Sequence, residues 1–292
     1  MYSYIFIDPE VVTDASQTGE AGLGQLINFL REHRYDCIFS ETDSWRLGEE
    51  LKEKIQAIEF QHERKLLIEL AVAIYSNGPF VFIEGDDGIS SLLELAKSKA
   101  ETAEIDFILT PSDSIIQTEC KWEACNLQLV YATRFEEVRQ KYRPCVIKKP
   151  GHDNAHGIWN TYFRKLIKHT DSVQIVDYSI GKYFGENHKF NLKKWIHWLN
   201  DNFSDPTVAR LKIHTLDNQQ LRVEAFINQL RADVGYSIEL KYYPGGDDFP
   251  HERFLNAEAR WLQIGRGIDL FDQNEDCRDI MFSIARRPAN II

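Results

Sequence analysis

Short apolar runs at residues 4–7, 37–39, 80–83, 105–109 and 127–131 alternate with longer stretches in which apolar residues recur every three or four positions. Runs of that length, bounded by turn residues such as Pro9 and the Asn77-Gly78-Pro79 string, predict strands buried on both faces. The periodic stretches predict helices over 26–33, 45–57, 60–75, 90–102, 115–124 and 135–142, with residues 13–24 a polar, glycine-bearing loop. Apolar strands alternating with helices predict a mainly parallel α/β sheet covered on both faces. The stretch 143–152 is basic, holds Pro144, Pro150 and Gly151 and has few apolar residues. It is the expected linker between one domain at 1–142 and another at 153–292. Beyond it the alternation resumes, with helices expected over 158–168, 192–199 and 221–230 and strands over 173–176, 211–215, 237–242, 261–264 and 281–284. The second domain is thus expected to be another α/β layer fold.

Composition changes this picture little, since 43% hydrophobic and 12% aromatic residues in a chain of 292 are enough to bury a sizeable core. Charge changes it more. The net charge is −11, and residues 1–150 carry 16 Lys+Arg against 26 Asp+Glu, or −10, leaving −1 for the rest. An acidic first half argues against broad adhesion to nucleic acid or anionic lipid through that half, and is compatible with a carboxylate site for a divalent cation. Five scattered cysteines without zinc-ribbon spacing form no disulfide framework and predict a reduced, cytoplasmic protein. Residues 1–4 lack signal-peptide features, and no apolar run approaches the ~20 residues of a membrane span. A soluble or at most peripheral protein is expected.

Acids recur where the expected strands end: Asp8 after the first, Glu41 after the second, Glu84, Asp86 and Asp87 after the third, and Asp113 after the fourth. Open α/β sheets bind ligands beyond the carboxyl ends of their strands. Acids gathered there repel one another unless a cation neutralises them, and oxygen ligands suit Mg²⁺ or Mn²⁺, which can activate water against a phosphodiester. The competing reading is that these acids cap helices and face water. The strings YIFIDPEVV at 4–12, Ile108-Leu109-Thr110-Pro111-Ser112-Asp113 and LQLVYATRFEEV at 127–138 resemble PIN-type nuclease domains. That resemblance implies Asp8, Asp87 and Asp113 as metal ligands, with Glu41 or Glu50 and Asp86 or Asp87 competing for the middle positions. Glu84-Gly85-Asp86-Asp87 also resembles the turn of a Toprim domain, but the later DxD of that family is missing, Asp106 and Asp113 being too far apart.

The second candidate site lies in PHERFLNAEARWLQIGRGIDLFD, residues 250–272. On a strand, residues two apart share a face, so His251 and Arg253 would present a nucleophile beside a cation. The spacing HxR-x4-E-x6-GRG resembles the phospholipase D signature HxK-x4-D-x6-GSxN, with Arg253 for lysine, Glu258 for aspartate, Arg266 for serine and Ile268 for asparagine. A closer resemblance is to the phospholipase D-like domain at the C-terminus of MIT-domain proteins. It is carried by His251-Glu252-Arg253, Trp261, Ile264-Gly265-Arg266-Gly267-Ile268-Asp269 and Phe271, and upstream by Asp177-Tyr178-Ser179-Ile180 and Ile213-His214-Thr215-Leu216. It covers residues 153–292 and implies a phospholipid-binding, self-associating domain.

In phospholipase D enzymes the histidine attacks phosphorus, so the resemblance implies His251, Arg253 and Glu258 at catalytic positions and Gly265, Arg266 and Gly267 at the phosphate seat. One such active site needs two histidine motifs, and this chain has one convincing copy. A working site therefore implies a homodimer with two His251 residues face to face, one attacking and one protonating the leaving oxygen, with no metal required. The competing reading pairs His251 and Arg253 with Glu258 or Asp269 inside the fold. Nucleic acid, a phospholipid headgroup or a partner protein are the expected ligands. The whole chain is expected to be a nuclease or phosphodiesterase effector, of a kind that would suit bacterial phage defence, joined to a phosphodiester-binding module. The alternative is a non-catalytic dimeric adaptor for phospholipid or protein.

Overall fold

The computed structural model describes residues 3–33, 37–41, 46–77, 80–83, 91–102, 104–111, 122–130, 133, 145–148, 155–168, 170–245, 249–257, 260–274, 277–278 and 280–285. The chain is mixed α/β and divides into two compact units, Tyr2–Lys141 and Tyr142–Ile292.

In the first unit, β1 (Tyr4–Ile7), β2 (Cys37–Glu41), β3 (Phe80–Ile83), β4 (Phe107–Leu109) and β5 (Glu123–Cys125) form one sheet in the order β3-β2-β1-β4-β5. Every neighbouring pair is parallel. All four residues of β1 are buried, as its central position requires. The connecting helices are α1 (Glu10–Gln17), α2 (Glu20–Glu32), α3 (Arg46–Gln56), α4 (Gln61–Asn77) and α5 (Leu92–Lys99).

Two local expectations are corrected here. Residues 13–24, expected as a loop, are almost wholly helical, because Val11, Val12 and Ala15 of α1 and Leu23, Leu26, Ile27, Phe29 and Leu30 of α2 bury a shared apolar face. Tertiary burial outweighs the weak local propensity of such a polar stretch. Gly19, at φ 79°, makes the turn between the helices, and a Cβ on Gly22 would stand 2.5 Å from the Ala15 carbonyl oxygen. The fifth strand is Glu123–Cys125 and not 127–131, since the Asn126 side chain accepts the Gln128 and Leu129 amides at 3.1 and 3.2 Å and turns the chain at once. The last residues of the helix expected at 115–124 belong to that strand; the rest of it, and the helix expected at 135–142, lie outside the described residues.

Among the described residues the second unit has seven strands: β6 (Cys145–Lys148), β7 (Ser172–Val176), β8 (Arg210–Leu216), β9 (Ser237–Tyr243), β10 (Phe254–Ala257), β11 (Arg260–Ile264) and β12 (Ile280–Ala285). Their order is β6-β12-β11-β10-β7-β8-β9. β7, β8 and β9 run parallel, whereas β10 is antiparallel to β7 and the pairs from β10 to β6 are antiparallel throughout. The expected linker at 143–152 therefore contains an edge strand, in which Cys145 to Lys148 pair with Ser283 to Ile280. Its basic, proline-flanked setting hid the three-residue apolar run Cys145-Val146-Ile147.

Helical segments accompany this sheet, with a 3-10 turn at Arg231–Asp233. α6 runs through Ala155–Ile158, a π-helical turn at Trp159–Phe163, and Arg164–Ile167; α7 is Tyr178–Tyr183, α8 Glu186–Asn202 and α9 Gln220–Leu230. Aromatic rings tie helices to sheet: Phe163 meets Phe282 of β12 and Trp195 of α8, each at 5.0 Å, and Trp159 meets Phe271 at 5.3 Å. Trp195, Trp198 and Trp261 are all buried. Among the described residues no helix is long and apolar enough to cross a membrane.

Candidate functional site

At the carboxyl end of β1 the chain leaves for β2 on one side and β4 lies on the other, the switch point at which open α/β sheets bind ligands. Asp8 occupies it. Its amide donates to the Leu109 carbonyl at 2.9 Å, extending the β1–β4 ladder, and its side chain is buried. Oδ1 accepts the amide of Glu10, the first residue of α1, at 3.0 Å. No partner for Oδ2 occurs among the described residues.

Burial pushes the Asp8 carboxyl above its ordinary range, and the charges of Glu10 and Glu50 push it further, while the Glu10 amide and Lys97 of α5 act the other way. Glu50 and Lys54 lie four residues apart on one face of α3. Lys54 reaches Glu10 at 2.6 Å and holds its carboxyl below the usual range, which turns the Glu50 side of α3 towards the end of β1. Thr110, after β4, is buried with its hydroxyl unpartnered among the described residues.

Of the two acids in competition, Glu50 acts on Asp8. The Glu41 side chain, Asp86, Asp87 and Asp113 lie outside the described residues. No group of three His, Cys, Asp or Glu side chains able to hold a metal occurs among the described residues. Sequence reasoning missed Lys97 and Thr110. Thr110 was visible as the residue closing the fourth strand, whereas nothing in the local sequence marks Lys97.

The corresponding edge of the second unit is where β7, β8 and β9 end, β10 begins and β11 ends. His251 is not on a strand. Residues 251 and 252 bend, β10 starts only at Phe254, and the shared-face argument for His251 and Arg253 fails. The reason is Phe249, which is buried in a cluster with Val176, Leu216, Phe254 and Trp261 and pulls the preceding loop inwards. His251 is exposed and meets the edge of the Tyr178 ring at 5.5 Å.

Arg253 turns into the fold. Its Nη1 donates to the Gly265 carbonyl at 2.6 Å and Nη2 to the Tyr178 hydroxyl at 3.0 Å, its Nε stands 3.4 Å from Asp177 Oδ1, and the guanidinium lies 4.7 Å over the Tyr178 ring. Asp177 is buried and accepts the Ser179 amide at 2.9 Å, the Ser179 hydroxyl at 2.5 Å and the Ile268 amide at 3.0 Å. Burial pushes its carboxyl up, and these donors with Arg253 pull it back.

The glycine turn closes over the same pair. Gly267 has φ 65°, and a Cβ there would stand 1.8 Å from Asp177 Oδ2 and 2.4 Å from Arg253 Cδ. The amides of Gly265, Gly267 and Ile268 donate to Met281, Ile264 and Asp177, so this turn does not offer them to a phosphate. Gly265 and Arg266 are exposed, while Gly267 is buried.

No family model matches this chain, and a search of curated proteins gives no match. The arrangement must speak through its own chemistry.

Among the described residues the carboxylate beside Arg253 is Asp177, while Asp269 pairs with Arg278 at 3.1 Å; Glu258 lies outside the described residues. Asp177 was readable as a strand-end acid followed two residues on by serine, the same strand-end signal that marks Asp8. His214 is a further buried polar group at this edge. Its Nδ1 stands 2.8 Å from the Tyr243 hydroxyl, and burial, with Lys212 and Lys241, pushes its pKa down to about 4. Exposed His251 and Arg266 can attract an anion at this rim, but Arg253 cannot grip one without leaving Asp177.

Proposed function

We propose that the chain is a metal-dependent phosphodiester hydrolase, a PIN-like nuclease, with its chemistry in the Tyr2–Lys141 unit. The Tyr142–Ile292 unit then serves as a phospholipase D-like phosphate-binding module without turnover of its own. One observation carries this reading: Asp8 is buried at the switch point, with one carboxylate oxygen lacking a partner among the described residues and two further acids raising its pKa. Like charges held together this way fit a divalent cation, and Mg²⁺ or Mn²⁺ bound there would lower the pKa of a water and polarise a phosphoryl oxygen. Asp8 and Glu50 would hold the ion, and Lys97 adds a positive charge beside it for the phosphate. Asp87 and Asp113 join this set through the PIN resemblance. The test is cleavage of labelled single- and double-stranded DNA and RNA with Mn²⁺ or with EDTA. Cleavage that EDTA abolishes, and that Asp8→Asn lowers at least about 100-fold, is expected.

A second reading is favoured by the fixed geometry of Arg253, which is tied to Asp177, Tyr178 and the Gly265 carbonyl. It makes the chain a non-catalytic dimeric adaptor for a phospholipid headgroup or a partner protein. No cleavage in either condition, together with vesicle binding weakened by Arg266→Ala, would select it. EDTA-resistant cleavage lost in His251→Ala would overturn both.

A further inference from the structure

β9 is an edge of the seven-stranded sheet, and among the described residues no strand pairs with its outer side. In a parallel ladder every second residue bonds its neighbour strand through both N–H and C=O, and the residues between aim theirs away. Both ends of β9 fix which set is which. The Ser237 amide donates to the Ala209 carbonyl at 3.2 Å, and the Tyr243 carbonyl accepts the Asp217 amide at 3.0 Å. Ser237, Glu239, Lys241 and Tyr243 therefore face β8, and Ile238, Leu240 and Tyr242 point their backbone groups outwards. The Arg231 guanidinium donates to the Ile238 carbonyl at 2.7 Å from that outer side, and this carbonyl still has a second lone pair.

The outward set is symmetric about Leu240, and so is the side-chain pattern. If a second copy of the strand ran antiparallel about a two-fold axis at Leu240, the two Leu240 residues would exchange a pair of hydrogen bonds. Ile238 would do the same with Tyr242 of the copy. On the helix-covered face Ile238 would then sit opposite Tyr242, and on the other face Glu239 opposite Lys241, twice by symmetry. The neighbouring registers are disfavoured: centring on Glu239 opposes two glutamates, and centring on Lys241 opposes two lysines. Of these registers, the one centred on Leu240 pairs all three outward residues and opposes unlike charges, with Glu239 already beside Lys212 of β8 at 3.1 Å, as an isologous interface allows.

We propose that β9 pairs with β9 of a second copy of this chain in that register, making one continuous sheet across a dimer. Because the pair is antiparallel, the carboxyl edges of the two sheets lie at opposite ends. The two His251 residues then face away from each other, and each phosphate rim works alone. This dimer differs from the face-to-face one that the phospholipase D resemblance implies.

The test is the oligomeric state of the full chain by sedimentation over a wide concentration range. A concentration-dependent dimer is expected. Lys241→Glu, which opposes glutamates at both symmetric positions, raises the dissociation constant about tenfold, and adding Glu239→Lys restores it. Leu240→Pro removes an outward N–H alone and abolishes the dimer while circular dichroism stays unchanged. A monomer at every concentration, or a dimer in which the double charge swap is no tighter than Lys241→Glu, overturns the proposal. The charge cycle decides the matter even if Leu240→Pro does not fold.

Discussion

Asp8 and Asp177 occupy similar backbone settings, each buried and each directly following an interior strand of its sheet. Both accept the backbone amide two residues on, at 3.0 and 2.9 Å. Their surroundings have opposite sign. Asp177 also receives the Ser179 hydroxyl, the Ile268 amide and the Arg253 guanidinium, and Gly267 closes the chain against it. Asp8 instead faces Glu10 and Glu50, with Lys97 the cation that acts on it. A strand-end aspartate is thus finished by the fold in one unit and set among further acids in the other. The neighbours decide the role, and the acid itself does not.

The comparison breaks most easily at the finished site. Gly267→Ala puts a Cβ against Asp177 Oδ2 in a left-handed backbone conformation, and should cost about 3 kcal/mol or more in urea unfolding. Arg253→Ala leaves Asp177 buried without its cation, and an expected loss of about 3 kcal/mol is read in the same way. A loss below about 1 kcal/mol would mean that Arg253 is dispensable to the fold and available to a ligand, bringing the two units back into line.

The repeating alternation of apolar runs and helical periods made the two α/β layers legible, because burial on both faces writes itself directly into composition. β7, β8 and β9 lie close to where that pattern sets them. The features that stayed hidden depend on contacts distant in sequence. β6 is stabilised by β12, more than 130 residues away, and α1 by the face of α2. Two-residue spacing sets His251 on a strand because it cannot reveal that Phe249 anchors the loop. Arg253 was visible as a cation, but its 3.4 Å pairing with Asp177 joins residues 76 positions apart. The effect of Glu50 on Asp8 could be read only once α3 had a position.

The second edge also holds His214, whose neutral ring sharpens the contrast through pH. Its folded pKa of about 4 lies below the ordinary histidine value, so the unfolded chain takes up a proton first as pH falls. The stability this group contributes is complete above about pH 6.5 and is lost as pH falls towards 4, an effect of about 3 kcal/mol. His214→Phe should remove that slope from the urea midpoint measured across the window. An unchanged slope would assign the acid sensitivity to other groups.

The smallest effect belongs to Asp8, and it tests the open side of the comparison. Its folded pKa is raised, so the native state binds the proton more tightly than the unfolded chain does. The stability that this group contributes is present below its unfolded pKa and lost as pH rises through the folded one. Asp8→Asn, which keeps an acceptor for the Glu10 amide, should therefore raise the thermal midpoint at pH 7 and give no gain once the pH is below the unfolded value. Mn²⁺ should act on the wild type alone, adding about 1.4 kcal/mol at ten times its dissociation constant. Equal stabilisation of wild type and Asp8→Asn would put the ion elsewhere. Asp8 would then be a carboxylate like Asp177, held by its fold and owing nothing to a cation.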